Sequence, residues 1–582
     1  MVYTVVVAWL VLAAIVVLTW SRLDTDRGWR GFVLALTLGL SLLHQLLFAT
    51  VTEDAFVSFR YAQNIADGNG PVFNPGERVE GYTNFLWLVL IALPRAAFGA
   101  DVRTAAVVFG VACALGCVLL ACFLVNRIAA AAAPADAEPR PAIGVAAAVL
   151  TASAGGLAVY GPSGSEVPLF VLLVLAVGYS LAARRPVVAG VLVAFAVMTS
   201  PEGVVVTLLG GLWLVVAAVK KRHSWWAPVG YALGALVFLV PRLAWRVTFY
   251  QHLVPAPLAA KAGPLGSQVA VGWPYLSGFA LAHQGFLLLG LVAAVALLLR
   301  RTEPPAPGEA PVVTPAFRGF RVAEPPAPGE APVVTAAEAR SLIWLLFVTV
   351  IGLAAAAVLI GGDPGPSWRL LAAVPPLLAV GSAAAYGVLT VDVAGKPSPR
   401  PRAWPVGTRL VPVTACGLAG IAVLVSVFSP EMLDRVRDWR AHGTELTEIG
   451  GWLGEYLPPG SVVSAAVPGA LAAHGGQLLI VDVLGRTDDH IAREGRREGG
   501  VSTDYDYVVN GRRPTVAVPD GGYADRQHCA IDPVYAGQYE VATFRRVGTP
   551  YWVAVYPRAE RAKTVVTDLD KGPDFRYVPC PS

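Results

Sequence analysis

The chain has 582 residues, 55% of them apolar and only 14% charged, with a mean hydropathy of +0.59. A water-soluble chain carries about a quarter charged residues, so the bulk of this one belongs in lipid. The formal net charge of +4 is spread over short loops and gives no case for a nucleic-acid partner.

A membrane span needs about 20 apolar residues. Runs of that kind lie at 2–20, 31–50, 104–126, 142–160, 166–183, 187–203, 204–219, 226–249, 275–299, 341–360, 367–390 and 410–428. The first lacks a basic leader and a small-residue cleavage site, so it is expected to stay as a helix. The run 84–98 is short and holds Pro94 and Arg95; it is expected to lie at the interface. With that choice the clusters Arg22/Arg27/Arg30, Arg184/Arg185, Lys220/Lys221/Arg222, Arg300/Arg301 and Arg400/Arg402 fall on one side, which the positive-inside rule makes cytoplasmic. The reading is a polytopic α-helical membrane protein of about twelve spans, with everything after Val427 on the outer face.

Residues 1–429 form the expected membrane domain, with 51–100 as its first outer loop. The segment 300–340 repeats EPPAPGEAPVVT and reads as a Pro-rich cytoplasmic insert. Residues 430–582 alternate short apolar runs with turns, as in a soluble α/β domain. Strands are expected at 461–465, 478–483, 514–518, 540–545 and 551–556, with a helix near Ala470. Cys529 and Cys580 lie in this polar part and form a disulfide if it is outside the cytosol; two free thiols are the alternative. Cys113, Cys117, Cys122 and Cys416 sit in apolar helices and read as packing residues.

The chemistry gathers on the outer face. Glu53 and Asp54 follow the second apolar run, and carboxylates at a membrane edge are costly enough to mark function. Glu166 in SGSEVP, Glu202 in SPEG, Lys261 at the end of YQHLVPAPLAAK and Asp363 in GGD land on the same side. Each taken alone is a helix cap or a turn. Together with four cations placed against the usual rule, Arg242, Arg246, Lys261 and Arg369, they point to an anionic ligand such as a lipid phosphate. Simple pairing with a carboxylate is the alternative for each cation.

The stretch EDAFVSFRYA followed by GPVFNPGERVEGYTNFLW resembles the first outer loop of the GT-C superfamily of polyprenyl-phosphate-sugar-dependent glycosyltransferases. Within it the chain is most similar to the actinobacterial terminal β-(1→2) arabinofuranosyltransferase group, in SGSEVP, SPEG, YQHLVPAPLAAK, GGD and VDVLGRTDDHIAR. It departs from that group at Glu53, where Asp is usual, at Ser200, where Arg is usual, at Pro257, where a hydroxyl is common, and at Arg486, where Leu is common.

The resemblance implies transfer of D-arabinofuranose from decaprenyl-phosphoryl arabinofuranose to a cell-wall arabinan of the arabinogalactan or lipoarabinomannan type. The site would face the periplasmic side of the plasma membrane in a monomeric enzyme. Asp54 is expected as the main catalytic carboxylate with Glu53 next; neighbours on a helix point about 100° apart and do different jobs. Arg242, Arg246, Lys261 and Arg369 are expected at the donor phosphate. Arg60, Tyr61, Glu80, Tyr82, Glu166, Glu202, His252, Asp363 and Asp482 are expected around the substrates. A divalent cation (Mg, Mn or Ca) stays open, since no ligand spacing is diagnostic. Retention against inversion also stays open: a β donor and a β product need more than one base-assisted step. The alternatives are a GT-C transferase of another sugar (mannose or glucose) to a glycan or protein, a lipid-linked-sugar transporter, and an anchored glycan-binding scaffold. A transporter should show polar groups deep in its spans or paired broken helices. His44 is the nearest mid-membrane ionisable group in the sequence.

Overall fold

The computed structural model describes residues 2–132, 140–299, 335–363, 365, 367–394, 406–498, 501–519 and 522–581. The duplicated Pro-rich segment falls outside them except for Thr335, which N-caps the helix Ala336–Leu359 by accepting from the Glu338 amide.

Among the described residues six helices are long and apolar enough to cross a membrane: Arg27–Leu47, Val102–Ala132, Trp226–Tyr250, Ala336–Leu359, Arg369–Thr390 and Leu410–Phe428. Counting each of two bent helix pairs as one span gives up to eight. The other apolar helices, Val2–Leu18, Phe85–Phe98, Val167–Ala182, Pro186–Thr199 and Gly203–Val219, run 10–17 residues. At 1.5 Å per residue these fall short of the roughly 30 Å of hydrocarbon. Hydropathy counts twelve runs because it sums composition and is blind to helix length and direction. The run 275–299 shows this: it breaks at His283, and Leu265–Ala282 meets Gln284–Leu299 at 84°. The His283 ring stacks on Phe279 at 4.3 Å, filling the bend.

Helix Val102–Ala132 packs against Ala142–Ala152, Val167–Ala182 and Val374–Ala394, and these form the centre of the membrane core. Helix Pro430–Tyr456 leaves the last long apolar helix and joins two cores. Its Met432, Val436 and Leu446 belong to the core of the helical part, whereas Ile449, Trp452 and Leu453 belong to the core of the sheet.

Among the described residues the sheet domain has eight strands: β1 (Val462–Ala465), β2 (Leu479–Asp482), β3 (Arg496–Glu498), β4 (Val501–Thr503), β5 (Val516–Val518), β6 (Ala542–Arg546), β7 (Trp552–Pro557) and β8 (Phe575–Tyr577). Six of them form one sheet in the order β2-β1-β5-β7-β6-β8, parallel on the β1 side and antiparallel beyond β5. β3 and β4 form a separate hairpin. Alternation located five of these strands. It missed the hairpin and β8, whose strands are three residues each; β3 and β8 also carry Arg where a buried strand would carry Val. Trp452 anchors the sheet, 4.8 Å from Phe544 and 4.5 Å from Phe575; burying such a ring contributes about 1.5–3 kcal/mol. Cys529 and Cys580 are disulfide-bonded.

The first loop belongs to both halves. Phe56 and Phe59 pack in the helical core, while Tyr61, Phe73 and Tyr82 pack with the sheet. That arrangement fixes where the two acids point.

Candidate active site

Helix Glu53–Ala66 starts at Thr52, whose amide is bonded to the Ser163 carbonyl at 3.1 Å. Two acids in the first turn suit the positive end of the helix. Ala55, Phe56, Phe59 and Ala62 are buried, and this inward stripe leaves the two acids on different sides.

Glu53 turns to the sheet domain. Its carboxylate accepts from the backbone amides of Gly469 and Ala470. A Cβ at Gly469 would lie 2.6 Å from the Glu53 Oε1, so only glycine admits this approach. Burial raises the Glu53 pKa to about 7, outweighing the two amides and Arg486 that pull it down. Glu53 does not line the cavity described below. The expectation of a second catalytic acid thus meets a docking carboxylate, because the inward stripe rotates Glu53 toward the other domain.

Asp54 turns the other way, into a cavity of about 790 Å³ between the helical part and the sheet domain. Its side chain is 52% exposed there. Arg369 donates to it at 3.0 Å, and the Arg486 guanidinium stands 3.7 Å away. Partial desolvation inside the cavity pushes the Asp54 pKa up, but Arg369, Arg486 and Lys261 outweigh it and hold the carboxyl below its usual range.

Arg369 is shared: its second nitrogen donates to Asp363 at 2.6 Å. Lys261 lies 3.8 Å from the same Asp363 oxygen, a charge contact with no hydrogen bond. Glu166 lines the wall and accepts from Asn84 at 2.8 Å, and Asn84 also donates to Ser58 at 3.1 Å. Burial raises the Glu166 pKa against the pull of Arg369. A side lobe of about 90 Å³ shares Glu166, Lys261, Asp363 and Arg369 and adds Ser200 and Glu202, which are hydrogen-bonded to each other. Six of the expected residues, Asp54, Glu166, Glu202, Lys261, Asp363 and Arg369, therefore surround one cavity and its lobe. Tyr82 also reaches the wall, with its hydroxyl on that of Tyr250 at 2.9 Å.

The other expected residues have different places. Arg242 and Arg246 clamp Glu80, at 2.5 and 2.9 Å, and Arg242 stacks over Phe85 at 4.2 Å. Neither arginine lines the cavity, and Glu80 is 4% exposed. Their partner is a carboxylate of this chain, which charge balance alone cannot tell from a ligand. Arg60 gives its donors to the carbonyls of Phe73, Gly476 and Leu478 at 2.8–3.2 Å and ties the loop to the sheet domain. Tyr61 is buried, donating to the Val79 carbonyl and accepting from the Gly81 amide, both at 2.8 Å. His252 pairs with Asp489 at 2.8 Å. Asp482 is 0% exposed and accepts from the amides of Leu484 and Thr487, which shapes the turn after β2. Asp488 caps the next short helix through the Ile491 amide.

Sequence reasoning missed Arg486, Gln268, Tyr275 and Arg497, all of which line the cavity. For Arg486 the signal was present: a cation four residues after a buried Asp, in a turn on the same face as Asp54. Among the described residues no group of three or more His, Cys, Asp or Glu gathers as a metal site. Arg369 lies between Asp54 and Asp363 and bonds to both.

Residues 435–556 match a family model described as "Domain of unknown function (DUF8728)". A stretch of 43 residues is 46% identical to the "Terminal beta-(1->2)-arabinofuranosyltransferase" of Corynebacterium glutamicum, spanning 7% of this chain and 6% of that relative. The structure of ArnT from Cupriavidus metallidurans in the apo state superposes with a TM-score of 0.53 at 14% identity, over 91% of this chain and 98% of that one. The same protein bound to undecaprenyl phosphate gives 0.51 at 13% identity, over 92% and 99%. The chain therefore shares the fold of ArnT, a mostly helical part with candidate membrane spans followed by a sheet domain.

Proposed function

We propose that the protein is a membrane glycosyltransferase that moves a sugar from a polyprenyl-phosphate carrier to a glycan hydroxyl. Its donor is decaprenyl-phosphoryl D-arabinofuranose and its acceptor the terminus of a cell-wall arabinan. The observation that carries the reading is the cavity of about 790 Å³ with an exposed carboxylate, Asp54, set among Lys261, Arg369 and Arg486. The motifs SGSEVP, SPEG, YQHLVPAPLAAK, GGD and VDVLGRTDDHIAR and the short match to the Corynebacterium relative favour arabinofuranose over mannose or glucose. ArnT, which shares the fold, has been solved with undecaprenyl phosphate, in keeping with a lipid-phosphate carrier here.

In the transfer, the bond between the anomeric carbon and the phosphate oxygen breaks. Its electron pair leaves with the phosphate, a good leaving group that needs little acid help. A new bond forms from the acceptor oxygen to the anomeric carbon, on the face the phosphate vacates where a β donor gives a β product, and the hydroxyl proton passes to a carboxylate. Asp54 is that carboxylate, and its negative charge also faces the cationic centre that develops on the sugar. Its arginine partners keep it ionised for this role. Once a phosphate draws Arg486 away, Asp54 becomes more basic at the moment it must accept a proton.

The Cys529–Cys580 disulfide supports an outer-face location for the sheet domain, because such bonds persist in oxidising compartments. One observation favours the transporter reading: the helix pair broken by 84° at His283. The deciding experiment incubates purified protein with decaprenyl-phosphoryl arabinofuranose and an arabinan oligosaccharide, wild type beside Asp54→Asn. Transfer by wild type and its loss in the variant are expected. Uptake of the lipid-linked sugar across vesicles without transfer would favour the transporter instead.

A further inference from the structure

We infer that the sheet domain supplies a phosphate-binding group to the cavity: the Arg486 guanidinium, acting with Lys261, holds the phosphate of the lipid carrier. This deepens the transferase reading and rests on it. It also replaces Arg242 and Arg246, whose charge is spent on Glu80.

The argument compares how far each cation is already committed. Arg369 makes two hydrogen bonds to carboxylates, at 3.0 and 2.6 Å. Arg242 is locked on a carboxylate that is 4% exposed. Arg486 differs. It makes one hydrogen bond, to the Ala466 carbonyl at 3.0 Å. Its carboxylate neighbours, Asp54 and Asp482, both stand at 3.7 Å, beyond hydrogen-bond reach. Each guanidinium has one buried nitrogen without a partner, Nε in Arg486 and Nη1 in Arg242, so it is the distance to the carboxylates that separates them. Lys261 is held as loosely, 3.8 Å from Asp363. Both line the cavity, and both act on Asp54. A guanidinium on the cavity wall with donors not committed to a carboxylate is suited to a tetrahedral oxyanion.

The chemistry fits the charge change. The donor is a phosphodiester carrying one negative charge. The departing carrier phosphate is a monoester that approaches two at neutral pH. A pair of under-committed cations favours the species with the larger charge. Arg486 thus stabilises the leaving group more than the bound donor, and its loss should lower kcat more than it raises KM.

The test titrates decaprenyl phosphate into the full-length detergent-solubilised chain, following tryptophan fluorescence, with decaprenol as the control lacking phosphate. The proteins are wild type, Arg486→Leu, Arg486→Gln and Arg246→Gln, each checked for wild-type melting. Both Arg486 variants are expected to bind about 10- to 100-fold more weakly, the range for losing a hydrogen-bonded charge. Arg246→Gln should bind as wild type. Either Arg486 variant, folded and binding as tightly as wild type, overturns the inference while leaving the transferase reading intact. A weakened Arg246→Gln beside an unaffected Arg486→Gln restores the Glu80 cluster as the phosphate site. No binding of decaprenyl phosphate by wild type overturns the transferase reading itself.

Discussion

Two charged clusters stand on the same face of this molecule and behave in opposite ways. Around Glu80, two arginines close on one carboxylate at 2.5 and 2.9 Å, with the carboxylate and Arg242 at 4% and 8% exposure. Around Asp54, Arg369 is at 3.0 Å and Arg486 at 3.7 Å, and the carboxylate is 52% exposed. Composition cannot separate them; each is acids and arginines beside a membrane. The difference lies in valence left over. The first cluster is buried, so every charge must find a partner within the chain or pay desolvation. The second opens on a cavity, so a ligand can complete it.

The comparison breaks first at its functional end. Asp54→Asn should cut transfer by about 10²–10⁴, the usual worth of a positioned base, with unchanged melting. An active Asp54→Asn enzyme removes Asp54 from the chemistry. At the closed end, Glu80→Gln leaves Arg242 and Arg246 uncompensated in a buried place. We expect a loss of about 3–5 kcal/mol in stability, read as a lower Tm, with carrier-phosphate affinity in the folded fraction unchanged. The Arg486 variants should show the converse, weakened phosphate binding and a smaller change in Tm, because Asp54 is partly exposed and the buried Asp482 keeps its two backbone amides.

The smallest effect sharpens the contrast between the adjacent acids. Glu53 has its pKa raised from 4.5 to about 7. The folded state then holds a proton that the unfolded state releases between those values, so stability falls as pH rises through that window. The full effect is no more than about 3 kcal/mol. Wild type should melt several degrees lower at pH 8 than at pH 5, and Glu53→Gln, neutral throughout, should flatten that difference. A pH-independent wild type would remove the burial argument for Glu53.

Much of this was legible in the chain. The helix over 53–66 and the 100° divergence of its two acids follow from local periodicity. So did the strands β1, β2, β5, β6 and β7, whose apolar runs are bounded by turns. The broken helix at His283 was not legible, since hydropathy carries no direction. Arg60 shows the same limit for polar groups. In the loop it reads as a ligand-binding cation, yet its partners are carbonyls more than 400 positions away, at Gly476 and Leu478.

By itself the sequence determined that this is a membrane chain with acids and cations gathered beyond its spans, because composition and motif spacing are local properties. It also singled out residues in tight motifs that line the cavity and its lobe: Asp54, Glu166, Glu202, Lys261 and Asp363. Only the tertiary structure decided which charges neutralise one another. That depends on distances between residues far apart in the chain: Glu80 with Arg242, Glu53 with Gly469, Asp54 with Arg369 and Arg486. Coulomb attraction falls with separation and is weakened by water, so the same residue types give a locked clamp where the fold buries them and an open site where it leaves a cavity.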